Sequence, residues 1–418
     1  MTSPADRTTA TTAREPLLRG ARDRRALTVM SVAHGIQHFY VGGLAVSYPF
    51  VVAQFHVSYA VLGVVLTVAG LLGGLLQGSA GLLRRASARA IITAQDTGIA
   101  LASLLGAFAP GFGVFAAARV LGNAVSWPQH PVGSAYLSDR FPHRRATVLS
   151  WHTAGGSIGT VVVPLFLSAV IAAAGWRVGL VVLGATLLVG AVVVAVALPA
   201  ERPASRSGDA RPEAEAPTTP LRQVLLERRV IALLIASTVA AGGRGLGVLT
   251  TYIPAYLRSG LHLPTLTVGA LFTAVVAASV AGPVIGGMLA DRFGRIRTLV
   301  ITYVGGAAAL LAFGNAGSNV GVLAVLGVCV GVLAYTESPL LQAVFSDLTR
   351  HGSARSAFGA FFAVSFGVGS LWTAVIGWII TAAGFPVAFA VMAASFIAAA
   401  AVVFAFVREG PPSPDATP

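Results

Sequence analysis

The sequence predicts an all-α integral membrane protein with 12 transmembrane helices in two pseudo-symmetric six-helix bundles. Three observations carry this. The 418 residues are 56% hydrophobic and only 10% charged, far below the roughly 25% charge of a soluble domain. Apolar runs long enough to cross a bilayer recur 12 times along the chain. Motifs in the first six runs return in the second six.

Taken in order, residues 1–25 are polar and rich in Thr, Ala and Arg, without the charge, apolar stretch and cleavage site of a secretory leader. They are expected to form a disordered cytoplasmic tail. Apolar runs bounded by loop residues place spans near 26–53, 59–83, 90–110, 112–137, 147–174 and 178–198, then near 230–257, 265–290, 298–314, 320–345, 356–383 and 387–407. The first bundle is therefore 26–198 and the second 230–407. Many spans are rich in Gly and Ala, which let helix backbones approach closely in lipid. The intervening segment 199–229 contains PAERPASRSGDARPEAEAPTTP, too polar and proline-rich to pack, and reads as a cytoplasmic linker. Residues 408–418 read as a second cytoplasmic tail.

All 28 basic residues are arginine, a bias expected of a high-GC genome. Alternating the spans puts 24 of them on one side, with only Arg177 and Arg258 opposite and Arg119 and Arg244 inside spans. Positive residues mark the cytoplasmic face, so both termini and the linker are expected there, in a bacterial plasma (inner) membrane. This topology accounts for the net charge of +13. Basic stripes interleaved with aromatics are absent, so no nucleic-acid partner is expected. The single cysteine, Cys329, excludes an intrachain disulfide.

The repeat is specific. SDRFPHRRA after the fourth span matches SDLTRHGSARS after the tenth, and GWRVGLVVLGA opening the sixth matches GFPVAFAVMAA opening the twelfth. Pro131 pairs with Pro339, Gln129 with Glu337 and Gly159 with Gly369. Two homologous bundles related by an axis along the membrane normal would hold a solute between them near the midplane.

The stretch GGMLADRFGRIR, from Gly286 to Arg297, resembles the conserved loop of the major facilitator superfamily of secondary transporters, and the likeness runs from the N-terminal tail to Val407. The resemblance implies a gating role for Asp291, Arg292, Gly294 and Arg295. Asp291 would cap a helix start and pair with arginines across the cytoplasmic seam. The equivalent stretch of the first half, GSAGLLRRASARA, lacks the aspartate and the glycine. Within the superfamily, AHGIQHFYVGG, QHPVGSA, HTAGGSIGTVVVP and GRGLGVLTTYIPAYL are similar to the fosmidomycin-resistance type of drug–proton antiporter. An acid expected in the first of these is His38.

Ionisable residues inside spans are the candidates for transport. His34 and His38, at i,i+4 on one face of the first span, read as substrate-binding with Arg244 and His130. Arg244 lies about 21 Å from either end of its span, and it serves either as an anion contact or as a structural partner of Glu337. Two histidines without a carboxylate or thiolate of fitting spacing make a weak metal site, so cavity lining or proton relay is preferred and no metal or cofactor is assigned. Glu337 and Asp96 are the proton-coupling candidates. The alternatives are a structural hydrogen bond near a proline kink for Glu337, and an inner-rim ion pair with Arg84, Arg85 and Arg89 for Asp96. Arg119 reads equally as a snorkelling residue.

The expected function is secondary active transport by alternating access: proton-coupled export of a drug or anionic metabolite, with protons, a small solute and the lipid bilayer as partners, by a monomer. An organic-anion uptake permease is the alternative within transport, and a non-transporting membrane receptor the alternative outside it. No nucleophile, base and orienting group come together in a loop, so an enzyme is not expected.

Overall fold

A computed structural model describes residues 20–77, 86–201, 221–349 and 354–407. The expectations for the two tails up to residue 19 and from 408, for linker residues 202–220 and for most of GSAGLLRRASARA lie outside the described residues. The chain forms α1 Ala21–Gln54, α2 Tyr59–Gln77, α3 Ala88–Ala107, α4 Phe112–Val125, α5 Gln129–Arg140, α6 Arg145–Ala174 and α7 Trp176–Ala197. The second half is α8 Leu221–Leu226, α9 Arg228–Ala240, α10 Thr250–Ala255, α11 Thr265–Phe293, α12 Arg295–Gly314, α13 Val320–Leu348, α14 Ala354–Phe362 and α15 Leu371–Phe406. α1 begins at Ala21, so part of the expected tail is helical, anchored by an Asp23–Arg140 ion pair at 2.8 Å.

Among the described residues, ten helical stretches are long and apolar enough to cross a membrane. The expected fourth span, 112–137, is split into α4 and α5 at Ser126–Pro128; Pro128 has no N–H and disfavours helical geometry in the residue before it. The expected eleventh and twelfth spans form one run, 357–406, that folds back on itself. Trp372 and Ser395 both pack on Gly242, whereas a straight helix would hold them about 35 Å apart. The reversal is at Gly384, with φ 83° and ψ 174°. Gly175, between α6 and α7, has nearly the same backbone, φ 85° and ψ 164°. The repeated GWRVG and GFPVA motifs thus place one hairpin glycine in each half, in a region essentially reserved for glycine.

The expected seventh span also departs from a continuous helix. α9 stops at Ala240, and the Gly245–Leu249 turn contains non-helical Leu246 and Gly247, the latter at φ 107°. Between α14 and α15 the chain makes a wide π-turn at Ala363–Gly367 and a 3-10 turn at Val368–Ser370. Both irregular segments lie beside the polar groups described below.

The halves meet where α1 touches α10, α2 touches α15 and α6 touches α11. The Tyr59 hydroxyl donates to Ser259 Oγ at 2.8 Å, Ala60 N–H to Thr381 Oγ1 at 3.0 Å, and Thr67 Oγ1 to the Ser370 carbonyl at 2.9 Å. Arg258 also covers the Phe50 ring. Among the described residues, the hydrogen bonds across the seam all involve the Tyr59–Thr67 half of α2, the half remote from the linker. The ion pairs near the linker end, Asp23–Arg140 and Arg295–Asp347, stay within one half each. Among the described residues, the hydrogen bonds between the halves are therefore confined to the part of the seam away from the linker, while α2 also packs Gly74 on Gly367 further along.

Replacing Gly175 or Gly384 with Ala should cost about 1–3 kcal/mol each, because an L-residue there is strained whatever the space around it. Thermal unfolding in detergent should show a clear drop for both. Gly113→Ala, where a Cβ would meet nothing, should leave the midpoint unchanged.

Candidate functional site

Arg244 is the best-held polar group in the second half. The sequence AAGGRGLG ends α9 and leaves Arg244 extended, at φ −67° and ψ 138°. Its glycine neighbours allow the inward turn: a Cβ on Gly245 would enter the Tyr335 ring, and one on Gly243 would strike Phe396 and the Met392 carbonyl. The residue is 3% exposed. Its Nε donates to Glu337 Oε1 in a short ion pair. Nη1 donates to the Ser365 carbonyl at 2.7 Å, and Nη2 to the Ser237 carbonyl at 2.8 Å and Ser237 Oγ at 3.0 Å. The Phe366 ring lies 5.2 Å from Cζ. Ser365 belongs to the π-turn, whose widened spacing frees a carbonyl from the helix ladder.

Glu337, on α13, is 0% exposed, and its Oε2 accepts from the Tyr303 hydroxyl of α12 at 3.3 Å. One ion pair therefore ties α9, α12, α13 and the π-turn together. Among the described residues, the polar partners of Arg244 all belong to the second half, and the histidines of α1 are not among them.

The first half gathers four histidines. His34 and His38 of α1 meet His130 of α5, with ring centroids 4.9 and 5.9 Å from it. His152 of α6 stacks on His34 at 4.2 Å. The Nε2 atoms of His34 and His38 are 3.1 Å apart, His34 Nδ1 lies 2.8 Å from the His152 carbonyl, and His38 Nδ1 lies 2.7 Å from Thr160 Oγ1. His34 is buried, His38 half-buried and His130 exposed. Close packing of α1 on α6 makes this possible, because Gly155, Gly156 and Gly159 face Ser31, His34 and Gly35 with no room for a Cβ.

Asp96, on α3, is 0% exposed. Gln95 Nε2 donates to its Oδ1 at 3.0 Å, and Gln95 is in turn bonded to Gln129. Oδ2 has no hydrogen-bond partner among the described residues. The inner-rim pair with Arg89 does not form: Arg89 donates to the Leu198 carbonyl instead. Arg84 and Arg85 lie outside the described residues. Arg119 does not snorkel; its Nε donates to the Tyr48 hydroxyl at 2.8 Å and its Cζ lies 5.6 Å from the Tyr40 ring.

At the linker end, Asp291 and Arg292 sit in the exposed last turn of α11, and Gly294, at φ 90° and ψ 145°, joins α11 to α12. Asp291 therefore does not start a helix as expected: α12 is capped at Gly294, without a side-chain hydrogen bond. Arg295 pairs with Asp347 at the end of α13. Arg292 lies over the Phe293 ring.

Residue-by-residue reading of the sequence missed His152, Thr160, Tyr303, Ser237 and Ser365. The first two lie in HTAGGSIGT, where the Gly155–Gly159 spacing signals a close helix contact. The other three are ordinary residues of apolar helices and carry no sequence signal.

Two helical bundles with bonded charges at mid-span define a polytopic membrane transporter. The chain belongs to the Major Facilitator Superfamily, whose sequence profile matches residues 30–282 and 245–418. It is 24% identical over 271 residues to the cis,cis-muconate transport protein of Acinetobacter baylyi, a match that covers 63% of this chain and 65% of the relative. The matched stretch thus spans about two thirds of that relative's length. The fold is that of the nucleoside transporter NupG, at TM-score 0.76 and 13% identity over 91% of this chain and 98% of NupG. A bacterial homolog of the human lysosomal transporter Spinster, crystallised inward-facing and occupied, superposes at TM-score 0.72 and 17% identity over 92% and 97% of the two chains. The protein is a multi-pass membrane protein of this superfamily.

Removing one member of a buried ion pair should cost about 3–5 kcal/mol. Arg244→Leu is expected to lower the thermal midpoint strongly, while Arg244→Leu combined with Glu337→Leu should regain most of the loss. A single variant as stable as wild type would show that the pair does not hold these helices together.

Proposed function

We propose that the protein carries a small organic anion together with a proton across the bacterial plasma membrane by alternating access, as a monomer with both termini and the linker in the cytoplasm. The observation behind this reading is the Arg244–Glu337 pair. While Glu337 is ionised, the guanidinium has its counter-charge. A proton on Glu337 removes that charge and leaves Arg244 needing another anion in a dry site. A carboxylate or phosphonate of the solute fits the guanidinium fork. Proton and anion then bind together, which is the logic of cotransport and ranks uptake above export.

His34, His38 and His130 form the first-half side of the solute site in this reading, and Arg244 the second-half side. Glu337 is the principal proton carrier, with Asp96 and its unpartnered oxygen as the second. Asp291, Arg292, Gly294 and Arg295 serve the gate at the linker end, where Arg295–Asp347 stiffens one half without crossing the seam. The seam is fastened at the end away from the linker, as expected of a state open to the cytoplasm. The muconate carrier supports a carboxylate solute. The likeness of AHGIQHFYVGG and QHPVGSA to the fosmidomycin-resistance exporters favours a second reading, export of an anionic drug in exchange for protons.

The test is counterflow of cis,cis-muconate in proteoliposomes with and without a pH gradient. Wild type should be accelerated by acid on the solute's side, and Glu337→Gln should exchange solute without responding to the gradient. If Asp96→Asn behaves that way and Glu337→Gln does not, the proton site moves to the first half. Acceleration by acid on the opposite side would support the export reading.

A further inference from the structure

His34 and His38 present their Nε2 atoms to each other at 3.1 Å, and their other ring nitrogens are each held by a hydrogen bond. His34 Nδ1 faces the His152 carbonyl oxygen, which only accepts, so this nitrogen holds the ring proton. His38 Nδ1 faces Thr160 Oγ1. The Thr160 hydroxyl also lies 3.1 Å from the Gly156 carbonyl. With its hydrogen on that carbonyl, His38 Nδ1 carries the ring proton and both Nε2 lone pairs face the same point, open to one cation; with its hydrogen on Nδ1, a single proton bridges the two Nε2 atoms instead.

We propose that His34, His38 and His130 form a binding site for one divalent transition-metal ion of the kind that imidazole suits: Zn2+, Co2+, Ni2+ or Cu2+. One ligand nitrogen from each of the three rings lies within 4.8 Å of the others. Tetrahedral zinc, with bonds of about 2.0–2.1 Å, sets its nitrogens about 3.3 Å apart, and the His34–His38 pair is already near that spacing. His130 is exposed and makes no hydrogen bond among the described residues, so its ring can swing in by the remaining distance. The two Nδ1 bonds are the kind that orient metal-bound histidines, donating the second ring N–H to a carbonyl or hydroxyl. His152, stacked on His34, and Gly156, which leaves the space for that ring, hold the first ligand in place.

The donor set contains no carboxylate, which disfavours calcium and magnesium. With three protein ligands, the fourth position opens on the exposed side of His130. Because the ligands are neutral, the ion keeps its charge, and that position takes water or an anion. This goes beyond the i,i+4 pair seen in the sequence, where two histidines alone made a weak site. It stands apart from the anion-transport reading, because metal binding is measured with no solute present.

The experiment uses the full chain in detergent, with any affinity tag removed and chelator dialysed away, titrated with ZnCl2 by calorimetry and with CoCl2 by visible absorption. One ion per chain should bind, giving tetrahedral-type Co2+ bands that Zn2+ abolishes. His38→Gln and His130→Gln should each weaken Zn2+ binding at least tenfold, Thr160→Val about 10-fold or more, and exposed His143→Gln not at all. X-ray absorption of the zinc-loaded wild type, which needs no variant to fold, should show three imidazoles around the ion. Absence of saturable binding, which would leave the pair a proton alone, would overturn the proposal. So would affinity unchanged in the His38 and His130 variants, or a zinc shell of oxygen with fewer imidazoles.

Discussion

A guanidinium carried to the middle of a bilayer has to be neutralised and hydrogen-bonded from within the protein, and the second half is organised around that requirement. Arg244 has one carboxylate, two backbone carbonyls and one hydroxyl as partners. Each partner imposes a local irregularity. The glycines around Arg244 interrupt the seventh span, the π-turn offers the Ser365 carbonyl, and Glu337 and Tyr303 bury polar atoms on helices that are otherwise apolar. Water would make such an arrangement unnecessary in a soluble domain; in lipid, unsatisfied groups cost several kcal/mol each. In the proposed cycle the same tightness makes the pair a switch, since removing one charge leaves the other in need of an anion.

The two halves repeat a scaffold but not a chemistry. Gln129 and Glu337 occupy matching positions, yet the first bonds Gln95 beside Asp96 while the second holds an arginine. Among the described residues, the first half has no arginine–carboxylate pair at mid-span; Arg119 is held by Tyr48 and Asn123, and the polar centre is a histidine group packed by the glycine face of α6. What the halves share is backbone: the hairpin glycines Gly175 and Gly384 differ by only a few degrees in φ. Duplication therefore keeps the turns that set helix packing and leaves the buried polar positions free to differ between the halves.

Much of the fold could be read from the sequence, because lipid forces long apolar runs. Breaks in the spans were harder. Pro128 and the Gly242–Gly247 cluster mark weak points, but a window of hydrophobicity passes smoothly over both. For the site, ionisable residues inside spans pointed to Arg244, Glu337, His34, His38 and Asp96, while their grouping could not be foreseen. Arg244 was expected beside the α1 histidines at similar depth. Depth alone does not fix azimuth, and the guanidinium turns toward α13. Asp291 was expected at a helix start, but the glycine two positions after Arg292 moves the start of α12 to the far side of the turn.

In the proposed cycle Glu337 takes up a proton when an anion reaches Arg244. This step is tested most directly by adding cis,cis-muconate to weakly buffered, detergent-solubilised protein and following proton exchange with a pH dye. The account predicts proton uptake by wild type that is lost in Glu337→Gln and retained in Asp96→Asn. Equal proton uptake by Glu337→Gln and wild type, or saturable muconate binding to wild type with no proton exchanged near neutral pH, would contradict it.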